Sequence, residues 1–137
     1  TPAEIYQRPA TAFVAGFIGS PPMNLIRGRV SADGRSLECE GAVLHLPDGV
    51  VAPTRFDTLL GIRPEALHLG GAMATASVEM VESLGADHLI HCRLGAQDLI
   101  VRAGPDARPE PGSATGLACA AEALHWFDPA SGARLAA

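Results

Sequence analysis

The stretch LIRGRVSADGRSLECEG, residues 25–41, decides the fold class, because its apolar residues recur with a period of two. A two-residue turn at Asp33-Gly34 would place Val30 opposite Leu37, with both side chains on one face. The same register places two arginines opposite two glutamates on the other face, as cross-strand pairing favours. These expected pairs are Arg29 with Glu38 and Arg27 with Glu40. The stretch therefore predicts a β-hairpin whose second strand breaks at Gly41.

Strand patterns recur downstream at intervals of about ten residues. LLGI, residues 59–62, is typical of a buried strand that Pro64 should end or edge. GGAMA, residues 70–74, is expected to link two sheet-forming halves. SVEMVESLG alternates, and its residues Val78, Met80 and Leu84 are expected on one side of a strand. DHLIHCRLG is expected to point Ile90, Cys92 and Leu94 inward. This spacing predicts a mainly β fold, either a small barrel or a sandwich.

Residues 1–18 differ from the rest, because they show helical rather than strand patterns. Thr1 and Glu4 match a capping box, and Pro9 separates this first segment from a second short helix. The second helix is expected to carry four apolar residues on one face, namely Phe13, Val14, Phe17 and Ile18. Gly19 suits a C-terminal cap, and two prolines then block the helix. A helix this short needs an apolar surface to pack on.

The charge composition excludes several functions. The sequence has a net charge of −5, and its ten cationic Lys and Arg residues are all arginine. A P-loop needs a lysine to reach the nucleotide phosphates, so this chain cannot supply one. An acidic chain without a basic stripe is a poor candidate for binding nucleic acid. No run approaches the roughly 18 apolar residues that a membrane-spanning helix requires.

The cysteines and histidines show no pattern typical of a reactive or metal site. The three cysteines, Cys39, Cys92 and Cys119, lack CxxC spacing and are odd in number, which favours buried free thiols. His88 and His91 lie three apart on an expected strand, so they point to opposite faces and cannot share an ion. The sequence therefore predicts no catalytic residue and no metal site.

The IRPE motif, residues 62–65, is the most interesting contact candidate. Arg63 and Glu65 flank Pro64 at the end of an expected strand. They can form a local ion pair that fixes a turn, or they can contact another domain or subunit. The sequence leaves both interpretations open.

Longer motifs resemble a known family. The relevant stretches are TPAEIYQRPATAFVAGFIGSPPMNL (1–25), LGIRPEAL (60–67) and LHWFD (124–128) followed by GARL. They resemble the ATP-binding subunits of bacterial sugar-type ABC importers, the maltose-importer group. Within that group, LGAD with Leu89 and His91 is most similar to the subunits that serve sn-glycerol-3-phosphate import. The resemblance covers nearly the whole chain.

This resemblance implies a fold and a division of the chain. The fold would be tandem OB-like β-barrels of the TOBE or MOP-like type, preceded by short N-terminal helices. Residues 1–19 would be the helical tail of a nucleotide-binding domain, residues 20–71 a first OB-like segment and residues 72–137 a second, with the GIRPE strand intertwining the two. ATP and Mg would bind upstream of Thr1, and this segment would hold no cofactor.

The resemblance also implies partners and a location. Expected partners are a second copy through this domain, ABC permease subunits through the upstream domain, and a regulatory protein or effector, but no nucleic acid. The parent complex would lie peripherally at the cytoplasmic face of the bacterial inner membrane, and the fragment would be soluble. The expected interface or regulatory residues are Arg63, Glu65, Leu84, Gly85, Asp87, Phe13 and Phe17. Without the upstream domain, the apolar face of the second helix is expected to find another apolar surface, such as a second copy.

An alternative is a free-standing MOP-like domain that binds an oxyanion or a small molecule. Related MOP-like domains bind molybdate through backbone amides and small polar residues. The sequence shows no dense cluster of Ser, Thr and Arg that would favour this reading, but it leaves the alternative open.

Overall fold

The computed structural model describes residues 21–53 and 57–135. Within these ranges the chain forms nine β-strands and two short 3-10 helical turns, Pro64–Ala66 and Ala121–Ala123. The strands are β1 (Asn24–Val30), β2 (Ser36–Cys39), β3 (Ala42–His45), β4 (Thr58–Ile62), β5 (His68–Ser83), β6 (His88–Leu94), β7 (Gln97–Ala103), β8 (Ala114–Ala118) and β9 (His125–Phe127). The prediction of a mainly β fold is confirmed. The predicted N-terminal helices lie outside the described residues.

The strands form two antiparallel sheets. The five-stranded sheet has the order β3-β2-β1-β4-β9, and the four-stranded sheet has the order β7-β6-β5-β8. Strand β9 returns from the end of the chain to pair with β4, so the first sheet needs residues from both ends of the described chain. The predicted boundary between residues 71 and 72 falls inside β5, and the division into segments 20–71 and 72–137 remains a prediction.

One contiguous apolar core lies between the sheets. It draws fully buried side chains from both of them, because alternate residues of each strand point inward. Its fully buried strand residues include Ile26, Leu37, Leu44, Leu60 and Ile62 from the first sheet and Val78, Ile90, Leu94, Val101 and Leu117 from the second. The predicted inward positions of Ile90, Cys92 and Leu94 are confirmed.

The predicted hairpin has the expected register but a longer turn. Arg29 pairs with Glu38 and Val30 with Leu37. The two-residue turn at Asp33-Gly34 is wrong, because the ladder closes at Ser31 and leaves four residues in the loop. The Ser31 hydroxyl and the Asp33 carboxylate accept hydrogen bonds from nearby backbone N–H groups, at 3.0 Å each, and so stabilise the longer loop.

The expected break at Gly41 is confirmed, since β2 and β3 are joined by a two-residue turn there. The expected pairing of Arg27 with Glu40 is not found. Arg27 pairs with Leu59 of β4, and its guanidinium forms an ion pair with Asp57 at 3.0 Å.

The GGAMA stretch was expected to be a linker, and that expectation is wrong. Strand β5 runs continuously through residues 70–74. Its pairing with β8 shifts there, so that Leu117 is paired on either side of a four-residue bulge. The backbones of Gly71 and Gly116 approach so closely that a Cβ on either would overlap the neighbouring strand. The glycines therefore permit close packing of two strands rather than a flexible link.

A second irregularity in β5 reverses a predicted side-chain direction. The register against β6 shifts between Val78 and Met80, so one extra residue lies in a bulge. Because one residue changes the phase of the alternation, Met80 turns to the outside and is 49% exposed. The prediction that Val78, Met80 and Leu84 lie on one side is therefore wrong, because Val78 is buried whereas Met80 points outward.

Two side-chain amides join the two sheets at β1 and β7. The Asn24 amide donates to the Ile100 carbonyl and accepts from the Ile100 N–H, both at 2.8 Å. The Gln97 amide likewise accepts from the Arg27 N–H at 2.8 Å and donates to the Arg27 carbonyl at 2.9 Å. A carboxamide carries one acceptor and two donors, so it can complete a backbone edge in place of a strand. We call these two reciprocal pairs the amide seam.

We expect Asn24→Ala to lower the free energy of unfolding by roughly 1–3 kcal/mol, because it leaves both Ile100 backbone groups without their seam partner. Gln97→Ala should cost about 1 kcal/mol, since its contacts are more exposed. Asp98→Ala is the matched control on the same strand, because its carboxylate is exposed, and it should change stability by less than about 0.5 kcal/mol. Urea unfolding measures all three, and equal effects of Asn24→Ala and Asp98→Ala would contradict the role given to the seam.

Candidate functional site

A surface cleft of about 540 Å³ lies beside the Pro64–Ala66 turn. One wall comes from the turn and the start of β5, and the opposite wall comes from the β5–β6 loop, the end of β7 and the loop after it. The lining residues that carry charge or can become charged are Glu65, His68, Asp87 and Arg102. The volume is within the range that small-molecule sites occupy. We call this depression the IRPE cleft.

An ion pair forms one side of the cleft. The Arg102 Nε atom lies 2.9 Å from an Asp87 carboxylate oxygen, and both side chains are more than a third exposed. A partly exposed pair of this kind contributes at most about 1 kcal/mol to stability. The pair can therefore rearrange toward a partner at small energetic cost.

The histidines behave as the strand phase predicts. His88 is buried, and its Nδ1 atom lies 3.0 Å from the Ala107 carbonyl oxygen, which ties the loop after β7 to the cleft wall. His91 points to the other face, where its Nε2 atom contacts Glu82 at 3.0 Å. Among residues 21–53 and 57–135, no group of three His, Cys, Asp or Glu side chains could hold a metal ion.

The predicted contact residues separate into distinct positions. Glu65 and Asp87 both line the IRPE cleft. Arg63 is only 6% exposed, and burial lowers the pKa of its guanidinium, although an arginine stays charged at neutral pH. Its carbonyl accepts the Ala66 N–H at 3.0 Å, so its backbone shapes the turn. The predicted position of Arg63 at the end of a strand is confirmed, because β4 ends at Ile62, and both interpretations of its contacts stay predictions.

Leu84 and Gly85 lie in the β5–β6 loop, next to Asp87. This loop is closed by a hydrogen bond of 2.8 Å from the Leu84 N–H to the Asp87 carbonyl. Leu84 is 47% exposed. Phe13 and Phe17, the remaining predicted contact residues, lie outside the described part of the chain.

The sequence did not single out Arg102 or His68, although both line the cleft. Arg102 lies on β7 in a segment that reads as an ordinary alternating strand. Its cross-strand partner is Leu89, and the Asp87 contact depends on how the loop folds back. Sequence spacing alone holds no signal for that contact.

The three cysteines are free thiols in the structure. Burial raises the pKa of Cys92 to about 11, with a smaller contribution from the nearby charge of Glu79. Burial also raises the pKa of Cys119 to about 11 and that of Cys39 above its usual value. A nucleophilic cysteine needs a lowered pKa, so these thiols have the opposite character.

Comparison with known families identifies the fold. A family model described as TOBE domain matches residues 60–127, and one described as MalK OB fold domain matches residues 19–67. The chain contains a TOBE domain and a MalK OB-fold domain, whose matches together span residues 19–127. The two matches overlap at β4 and the IRPE motif, where the structure also joins the early and late strands of the five-stranded sheet.

Curated relatives agree with this assignment. The sn-glycerol-3-phosphate import ATP-binding protein UgpC of Burkholderia cenocepacia is 46% identical over 97% of this chain. The protein of the same name from Paraburkholderia xenovorans is 49% identical over 97% of the chain. The chain spans 39% of the length of each of these relatives. The resemblance to ATP-binding import subunits and the prediction of OB-like domains are confirmed.

The helical segments among the described residues are too short to cross a bilayer.

The buried thiols predict a loss of stability at alkaline pH. The unfolded thiols lose their protons near pH 9.0, whereas in the folded TOBE domain Cys92 and Cys119 keep theirs until about pH 11. The stabilising effect is therefore complete below pH 9 and is lost as the pH rises toward 11. Urea unfolding at several pH values should show this decrease. A Cys92→Ala/Cys119→Ala variant should show a shallower decrease, and an unchanged slope would contradict the assignment.

Proposed function

We propose that this chain is the regulatory and dimerisation domain of an ABC importer's ATP-binding subunit. The cargo would be sn-glycerol-3-phosphate or a related sugar or polyol. One observation carries the proposal. The alignment with proteins named as sn-glycerol-3-phosphate import ATP-binding proteins covers 97% of this chain but only 39% of the length of those proteins. The TOBE and OB-fold matches support the assignment of that part to a non-catalytic domain.

The proposal divides the work of the parent subunit. ATP and Mg bind an upstream nucleotide-binding domain, and that domain engages the permease subunits at the cytoplasmic face of the membrane. The absence of lysine from this sequence supports this division, because a P-loop cannot be built without one. In this proposal the described domain forms contacts between proteins and does not take part in ATP hydrolysis.

The surface that best fits a contact between subunits is the β5–β6 loop with the adjoining IRPE cleft. Leu84 offers exposed apolar area in the loop, and the adjoining cleft contributes the charged side chains of Glu65, Asp87 and Arg102. An apolar centre with a polar rim is the usual arrangement of a protein interface. Two copies related by a two-fold axis would present this surface to each other.

Such a contact would support regulation. If the two copies stay associated through this domain, their ATPase domains can open and close without separating. A regulatory protein or effector that binds one arrangement better than the other then shifts the equilibrium by its difference in affinity. The IRPE cleft is the position from which such a ligand would act.

Light scattering coupled to size-exclusion chromatography tests the interface. We expect the chain to dimerise as its concentration rises, and Leu84→Asp to raise the dissociation constant roughly tenfold or more, because a carboxylate replaces apolar area at the contact. Val51→Asp is the matched control, since Val51 is also exposed but lies far along the chain in another loop. A wild-type chain that stays monomeric at high concentration would contradict the dimerisation role.

A second candidate is a small oxyanion-binding domain. The observation that favours it is the Arg102 guanidinium in the wall of a cleft of about 540 Å³. In this case the chain itself, without an upstream domain, would bind the ligand. Regulation by a protein partner would then be unnecessary.

Titration calorimetry with molybdate, phosphate and sn-glycerol-3-phosphate separates the two candidates. The oxyanion reading predicts submillimolar binding that falls at least about tenfold in Arg102→Gln, because a charge-assisted contact is lost. Arg93→Gln is the control, since Arg93 pairs with Asp98 away from the cleft. We expect none of these three anions to bind the wild-type chain with submillimolar affinity. Binding that depends on Arg102 would instead favour the oxyanion domain.

A further inference from the structure

A second apolar cluster lies on the outer face of the five-stranded sheet, apart from the main core. It consists of Met23, Leu25, Leu59 and Phe127, and we call it the outer cluster. Met23 and Phe127 are buried, whereas Leu25 and Leu59 are only partly buried. The cluster therefore has a covered end and an open end.

The alternation of the strands explains why these residues point outward. Ile26, Leu60 and Trp126 belong to the main core, so their sequence neighbours face the other way. Leu59 lies directly opposite Phe127 across β4 and β9. Leu25 lies opposite Gly61, which completes one continuous patch over three strands.

Gly61 makes the patch concave. A Cβ at this position would overlap Met23 and lie 2.9 Å from a ring carbon of Phe127, so the absence of a side chain creates the seat for both. The Arg134 guanidinium lies over the Phe127 ring, 5.3 Å from its centroid. The ion pair of Arg27 and Asp57 lies at the other side. The outer cluster thus has an apolar centre and charged borders.

The first described residues of the chain belong to this patch. Pro21 and Pro22 form a turn, and Met23 follows at once as part of the cluster. Residues 13–18 are five to ten positions upstream of Met23, and a chain spans at most about 3.3–3.6 Å per residue. They therefore lie within easy reach of Leu25 and Leu59. Their sequence, FVAGFI, is expected to carry four large apolar side chains on one helical face.

We propose that residues 13–18 of this same chain cover the open end of the outer cluster. The segment is already attached next to the patch, so its effective concentration there far exceeds that of any second copy in dilute solution. Its apolar face matches the partly buried leucines, and it lacks charge that would need to be paired. The contact fixes the direction in which the chain leaves Pro21-Pro22, and it couples the N-terminal segment to β1 and β4. This inference does not depend on the cargo or on dimerisation.

Hydrogen exchange with mass spectrometry on the 137-residue chain tests the proposal. The wild-type peptide covering residues 10–20 should show protected amides, to the same extent at low and high protein concentration. The double variant Leu25→Thr/Leu59→Thr should accelerate exchange in that peptide roughly tenfold, because partly buried apolar area is removed from its seat. Threonine suits a strand, so β1 and β4 should keep their pairing.

The experiment needs a control variant outside the outer cluster and a check that the double variant is folded. Val51→Thr removes a comparable apolar side chain from an exposed loop and should leave the peptide's exchange unchanged. Protection in β5 and β6 should persist in the double variant, which verifies folding. Exchange without protection in the wild type, or protection unaffected by the double variant, would overturn the proposal. Protection that appears only at high concentration would assign the cover to a second copy and would also overturn it.

Discussion

The side-chain amides of Asn24 and Gln97 hold β1 beside β7, and the relation between the two sheets depends on this seam. Each amide satisfies both backbone groups of one residue on the facing strand, at 2.8–2.9 Å. Edge strands otherwise present unpaired N–H and C=O groups, which are costly to bury and prone to wrong pairing. The seam satisfies these groups without a continuous ladder. The hydrogen bond from the Ala96 N–H to the Glu40 carbonyl, 3.0 Å long, extends the junction to the adjoining turns.

A fixed relation between the sheets is what gives the candidate contact surface a defined shape. Glu65 comes from the turn after β4 of the first sheet, whereas Asp87 and Arg102 come from the second sheet. If the sheets moved independently, these side chains could not form one cleft. The same rigidity suits a domain that transmits a signal between subunits, because a bound regulator then acts on one body. The outer cluster lies on the other face of the five-stranded sheet from the main core.

Local sequence patterns predicted the strands well and their irregularities poorly. The Val30–Leu37 register and the inward phase of Ile90 follow from alternation, and the buried LLGI strand follows from a short apolar run. Both are local properties of the sequence. The longer loop depends on side-chain hydrogen bonds of Ser31, and the bulge before Met80 depends on how β5 meets β6. The seam joins residues about seventy positions apart, and no spacing rule marks it. Glu65 and Asp87 could be named from motifs, but Arg102 required the folded loop.

Native-state hydrogen exchange tests most directly whether the two sheets form one cooperative unit. The slowest amides of β1 and β4 report on the five-stranded sheet, and those of β6 and β7 report on the four-stranded sheet. One unit predicts that both groups exchange with the same opening free energy, equal to that of global unfolding, across a series of low urea concentrations. Opening free energies that differ between the sheets by more than about 1 kcal/mol would show that they unfold separately, and this would contradict the account.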